Sequence, residues 1–140
     1  MKATKAALFI ATAISSAAVF AERSPAPEGA SVYFISPKDG ANVSSPVNIR
    51  FGLSGMGVAP AGVERQHTGH HHLLINMDVL PAMDAPLPAT KQVVHFGNGQ
   101  TETHIDLPAG SHTLQLLLGD HFHIPHEPPV LSETITIHVR

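Results

Sequence analysis

Histidine is the residue type that stands out in this chain: its 11 copies equal the number of Asp and Glu together, and all fall between His67 and the C-terminus. Neutral imidazole offers a nitrogen lone pair that suits zinc, copper, iron and nickel. Two short patterns concentrate it. His70 and His72 sit one residue apart within a His70-His71-His72 run, and His121 and His123 repeat that spacing, followed by His126. On an extended strand, side chains alternate, so residues i and i+2 project from one face. Two His-x-His elements on adjacent strands place three or four imidazoles around one ion. The expected ligands are therefore His70, His72, His121 and His123, with His126 or His95 completing or flanking the site. The chain has no Cys, so thiolate ligation is excluded, and copper is the expected ion with zinc as the alternative. Met56 lies in the glycine-rich stretch before the run and Met77 just after it. A thioether near the cluster would favour Cu(I), although Met77 also reads as core packing. Asp120 or Glu127 would ligate, or would orient a ligand by accepting an imidazole N–H. Pro125, Pro128 and Pro129 stiffen the segment around His126.

The remaining histidines read as structural. His104, His112 and His138 are single residues on alternating strands, His71 is an inward residue at a strand start, and His67 is solvated. The chain has no His-Glu-x-x-His, no Gly-x-Ser-x-Gly and no phosphate-binding glycine loop. Asn42-Val43-Ser44 is a glycosylation triplet of a kind common by chance.

The elements that must position these side chains are short strands. Ser31 to Ser36 has strand composition and is followed by a Pro37-Lys38-Asp39-Gly40 turn. Val47 to Leu53 alternates apolar and polar residues, and Gly55 to Gly69 is a glycine-rich loop. His70 to Met77 is a strand. Leu80 to Thr90 carries three prolines and is irregular. Gln92 to Phe96, Thr101 to Leu107, His112 to Leu118 and Ser132 to Val139 are further strands, with Asn98-Gly99 marking a tight turn. About seven strands with frequent turns and no helical period predict an all-β fold, an immunoglobulin-like antiparallel β-sandwich. In that arrangement the loops after the second, fourth and sixth strands share one end, which gathers the histidines of residues 67–72, His95 and the residues 121–126. With Leu73, Ile75 and Met77 facing the core, His70 and His72 face outward and His71 inward. A one-residue slip would exchange them.

The opening segment is an address. Lys2 and Lys5 precede an apolar stretch from Ala6 to Val19, and Val19-Phe20-Ala21 offers small residues to a signal peptidase. Residues 1–21 are expected to be a signal peptide cleaved near Ala21, residues 22–30 a flexible leader, and residues 31–140 one sandwich domain, periplasmic or secreted. The apolar run is too short to span a membrane, so no stable membrane insertion is expected. A net charge of −3 excludes a nucleic-acid binder, which needs a basic face.

Gly69-His70-His71-His72-Leu73-Leu74-Ile75 and the run from Gly119 through Asp120-His121-Phe122-His123-Ile124-Pro125-His126-Glu127 to Pro129 resemble a bacterial family of short exported proteins classed as a domain of unknown function. The stretches Gly55–Gly62 and His95–Thr103 are similar to it as well. The resemblance implies an exported bacterial protein and brings no established activity, substrate or ligand set with it. Looser analogies are to copper-resistance sandwiches of the CopC type and to copper–zinc superoxide dismutase, whose Cys pair this chain lacks. The reading is a metal-binding chaperone, buffer or delivery protein. Its alternatives are a metal-dependent oxidoreductase or hydrolase, and a non-catalytic module whose histidine patch senses pH or meets an envelope protein partner.

Overall fold

The computed structural model describes residues 22–140. The signal peptide expected over residues 1–21 lies outside them. The described residues contain nine strands and no helix. β1 (Ser31–Ser36), β3 (Val47–Ser54) and β7 (Glu102–Ile105) form an antiparallel sheet in the order β1-β3-β7. The second sheet runs β2 (Asn42–Val43), β9 (Ile135–Val139), β8 (Gly110–Gly119), β5 (Thr68–Ile75) and β4 (Gly57–Val58), with β6 (Val93–His95) also paired to β5. The two sheets pack as an all-β sandwich, as expected. β2 and β4, each two residues long, lie outside the strands expected from sequence, β4 within the Gly55 to Gly69 loop. Both pair in parallel, which makes the second sheet mixed.

Alternation builds the space between the sheets. Val32 and Phe34 from β1 and Val47, Ile49 and Phe51 from β3 meet Leu73, Ile75, Leu114, Leu116, Leu118 and Ile137 of the opposite sheet. His71 belongs to this inner face: it is fully buried, and its ring lies 4.8 Å, centroid to centroid, from that of Phe51. The register therefore matches the sequence reading, with His71 inward and His70 and His72 on the far face.

That far face is not solvent. Leu74, Leu117, Val93 and Leu87 form a second apolar cluster there, covered by Met77, Met83 and Leu131. β5 is thus buried on both faces, from Gly69 to Ile75. Met77 departs from the expectation that it continues the Leu73–Ile75 face. Asn76 ends β5 at φ 51°, a left-handed conformation that Asn tolerates, and the turn delivers Met77 to the other side. The Asn76 side chain holds the corner, accepting from Thr113 N at 2.9 Å and donating to His112 Nδ1 at 2.9 Å. His112 Nε2 donates in turn to the Pro108 carbonyl at 2.8 Å. His112 is a structural residue with both nitrogens satisfied.

Candidate metal centre

The floor of the site is β5. His70 and His72 project from one face, are each 0% exposed, and have ring centroids 4.5 Å apart. Pairing across the sheet brings the next element. His72 lies opposite His95 of β6 on one side and Leu117 of β8 on the other, while His70 lies opposite Gly119. The fourth ring comes from the segment after β8. Asp120 organises that segment as a turn: its Oδ1 accepts from Phe122 N (2.9 Å) and Ile124 N (3.0 Å), and its backbone N–H donates to the Ile124 carbonyl at 2.9 Å. Asp favours such local side-chain to backbone bonds. Inside the turn, His123 adopts φ 64° and its carbonyl accepts from Leu87 N at 2.9 Å.

The result is a convergence of nitrogens. His123 Nδ1 lies 2.9 Å from His70 Nε2, 3.1 Å from His95 Nδ1 and 3.4 Å from His72 Nε2. Nitrogens bound to one metal at about 2.0–2.1 Å in a tetrahedron stand about 3.3 Å apart. The observed approaches have that scale. The ligand atoms of His70, His72 and His123 all lie within 4.8 Å of one another, and they are the only such triad among the described residues. A single proton on His123 serves one neighbour well, whereas a cation at the centre serves every lone pair that faces it. His95 lies beside this triad rather than within it, reaching it through His123. The His95 Nε2–H donates to the Pro88 carbonyl at 3.0 Å, which leaves the Nδ1 lone pair turned to the cluster, the outer-shell arrangement typical of ligating imidazoles. The Nδ1 atoms of His70 and His72 are buried without a partner, so each ring makes its polar contact through the nitrogen that faces the cluster.

Burial keeps His70, His72 and His123 neutral. Burial, and then the neighbouring His123 and His95, push His70 down to about 4. Burial, followed by His70, His95 and His123, pushes His72 down to about 2. His123 is also held below the usual imidazole range, first by burial and then by His95. At neutral pH the lone pairs are therefore available to an ion.

Four of the six residues expected from sequence come together: His70, His72, His95 and His123. His121 and His126 are placed elsewhere. The pairing of His121 with His123 assumed a continuing strand, but the Asp120 turn replaces it, and the two rings do not project together. The His121 ring lies against that of Phe122, tilted by 41° with 4.1 Å between centroids. His126 is buried, its Nε2–H donates to the Thr68 carbonyl at 3.1 Å, and burial lowers its pKa. Met56 packs against the main core and Met77 against the second cluster.

A family model described as a domain of unknown function, DUF4399, matches residues 49–140. The chain belongs to that family. The DUF4399 span contains all four converging histidines, Gly119 and the Asp120 turn, and it leaves out β1 and residues 22–30. No curated protein and no solved structure matches the chain.

The sequence reading missed the residues that make room for the cluster. A Cβ on Gly119 would lie 2.6 Å from His72 Cε1 and 3.3 Å from His123 Cα, and one on Gly69 would lie 2.6 Å from the Gly119 carbonyl oxygen. Both glycines flank the histidine motifs, which is the signal that close approach leaves in a sequence. Gly119→Ala is expected to displace the His72 ring, costing about 1–3 kcal/mol of stability and lowering metal affinity by roughly tenfold or more. Thermal unfolding and a competition titration measure the two effects, and an unchanged affinity would remove Gly119 from the site.

Proposed function

We propose that this is an exported copper-binding protein that acts as a chaperone, buffer or delivery module, with His70, His72, His95 and His123 as its ligands. The observation that carries the reading is the convergence of three imidazole nitrogens on His123 Nδ1 within 3.4 Å. The donors are all imidazole, with no thiolate or thioether among them. Divalent ions on such nitrogen sites rank with copper at the top and zinc below it, so copper is the favoured cargo. His70 and His72 supply a rigid floor from a strand buried on both sides. His95 and His123 are partly exposed, and a ligand at the surface can exchange its ion with a partner.

The test is stoichiometry. The full chain, expressed without an affinity tag, is loaded separately with copper and zinc, desalted, and assayed for bound metal by mass spectrometry. About one copper ion per chain is expected, with copper displacing zinc in mixed loading. Absence of retained metal overturns the proposal. A bound-copper spectrum that shifts on addition of azide would point to an open coordination position and move the reading toward a metal-dependent oxidoreductase or hydrolase.

A further inference from the structure

Within residues 22–30, Arg23 to Ala26 are fastened to the loop that presents His123. Ala26 N donates to the Glu127 carbonyl at 3.0 Å, and Glu127 N donates to the Ser24 carbonyl at 2.9 Å, closing a parallel bridge between Pro25 and Glu127. Arg23 spreads its guanidinium over the same stretch. Its Nε donates to the Pro125 carbonyl at 3.1 Å, Nη2 donates to the His126 carbonyl, and Nη1 pairs with the Glu127 carboxylate. Ser24 Oγ donates to Asp120 Oδ2 at 2.8 Å.

The last contact connects the segment to the metal centre. Asp120 is buried, and its two carboxylate oxygens divide their work. Oδ1 holds the amides of Phe122 and Ile124 on either side of His123, while Oδ2 is held by Ser24. The chain of contacts runs from Ser24 through Asp120 to the backbone that sets the position of His123 Nδ1. His70 and His72 need no such support, because the β5–β8 ladder fixes them. His123, carried on a turn, is the ligand whose position depends on what pins that turn.

We propose that residues 23–27 form a strap that positions His123 and sets the rate at which the site gives up its ion. Arg23 and Ser24 are positioning residues that act through Asp120 and the 125–127 backbone. With the strap in place the ion is held by all four imidazoles. With the strap lifted the turn loosens, His123 leaves first, and the ion remains on a floor of two buried rings and His95, open to a receiving partner. This inference rests on the copper-site reading above.

The experiment uses the full chain and its Arg23→Ala/Ser24→Ala and Ser24→Thr variants. Copper-loaded protein is mixed with excess chelator and release is followed by stopped flow, alongside the spectrum of the bound copper and thermal unfolding of the copper-free forms. The double variant is expected to release copper about tenfold faster or more, the range seen when an outer contact of a metal ligand is lost, with a perturbed copper spectrum. Ser24→Thr, which keeps the hydroxyl, is expected to retain the parent rate and spectrum. Amide hydrogen exchange of the copper-free double variant is expected to quicken at Phe122, His123 and Ile124 while β3 keeps its protection. Equal release rates and spectra in a parent that binds copper overturn the strap alone. A parent that retains no copper overturns the copper-site reading itself, and unchanged exchange at residues 122–124 then shows that the strap does not hold the turn either.

Discussion

A His70→Ala/His123→Ala chain is expected to retain no copper after desalting, with affinity reduced by more than roughly a hundredfold, because loss of a ligand exceeds the cost of losing an outer-shell contact. His123 Nδ1 is the nitrogen that approaches all three others, and His70 Nε2 is the nearest of them at 2.9 Å. Without both, His72 and His95 remain, a pair of imidazoles with too few donors to compete with buffer and chelator. Single His121→Ala and His126→Ala variants provide the contrast. The two residues share the motif and the spacing, but the Asp120 turn directs His121 onto Phe122, and His126 is bonded to the Thr68 carbonyl. Both are expected to keep about one copper ion per chain. Equal copper retention by the double variant and the parent, or copper loss on replacing His121 or His126 alone, would sink the assignment of ligands. Thermal unfolding of the copper-free proteins separates a lost ligand from a lost fold.

Acidification below pH 6.5 is expected to destabilise the copper-free protein, and His71→Leu is expected to remove part of that loss while raising stability at neutral pH. Burial between the sheets pushes His71 down to about 4 from the ordinary value of 6.5, and neither ring nitrogen has a partner. Between those two values the unfolded chain binds the proton that the folded chain refuses. Stability is therefore greatest above pH 6.5 and declines as pH falls toward 4, by about 3 kcal/mol for this one residue. His70, pushed to about 4, and His72, pushed to about 2, add to the same decline. Leucine at position 71 keeps comparable volume against Phe51 and removes two unsatisfied buried nitrogens, which stabilises by about 1–3 kcal/mol. Denaturant unfolding from pH 7.5 to 4 measures both effects. A lower midpoint for His71→Leu at pH 7.5, or an unaltered slope below pH 6.5, would overturn the account of His71 as an unpartnered buried imidazole. Copper stoichiometry is expected to be unchanged, since His71 faces away from the cluster.

The strands were legible because their causes are local. Val32 and Phe34, Val47, Ile49 and Phe51, and Leu114, Leu116 and Leu118 alternate with a period of two, and Pro-Lys-Asp-Gly and Asn-Gly stretches mark the turns between them. The same period placed His70 and His72 on one face and His71 on the other, which the β5 register bears out. Alternation says which residues share a face; it does not say what covers that face. Residues 77–92 and 120–131 have no period, and they fold over the outer side of the sheet only because Leu74, Leu87, Val93 and Leu117 can be buried together there. That second layer takes His70 and His72 out of water and lowers their basicity.

The choice among the remaining histidines was also tertiary. His121 and His123 have the spacing of His70 and His72, and a strand would have made them equivalent. Asp120, with one oxygen on two amides of its own turn and the other on Ser24, makes a bend instead, so that one ring enters the cluster and the other does not. His95 joins because β6 pairs with β5 at His72, a contact between residues far apart in the chain. By itself the sequence determined the longer strands, the inward and outward faces of β5 and the kind of donor atom available. Which imidazoles share one point was decided by a buried carboxylate, two glycines and the packing of irregular segments, because these depend on long-range contacts that no local period records.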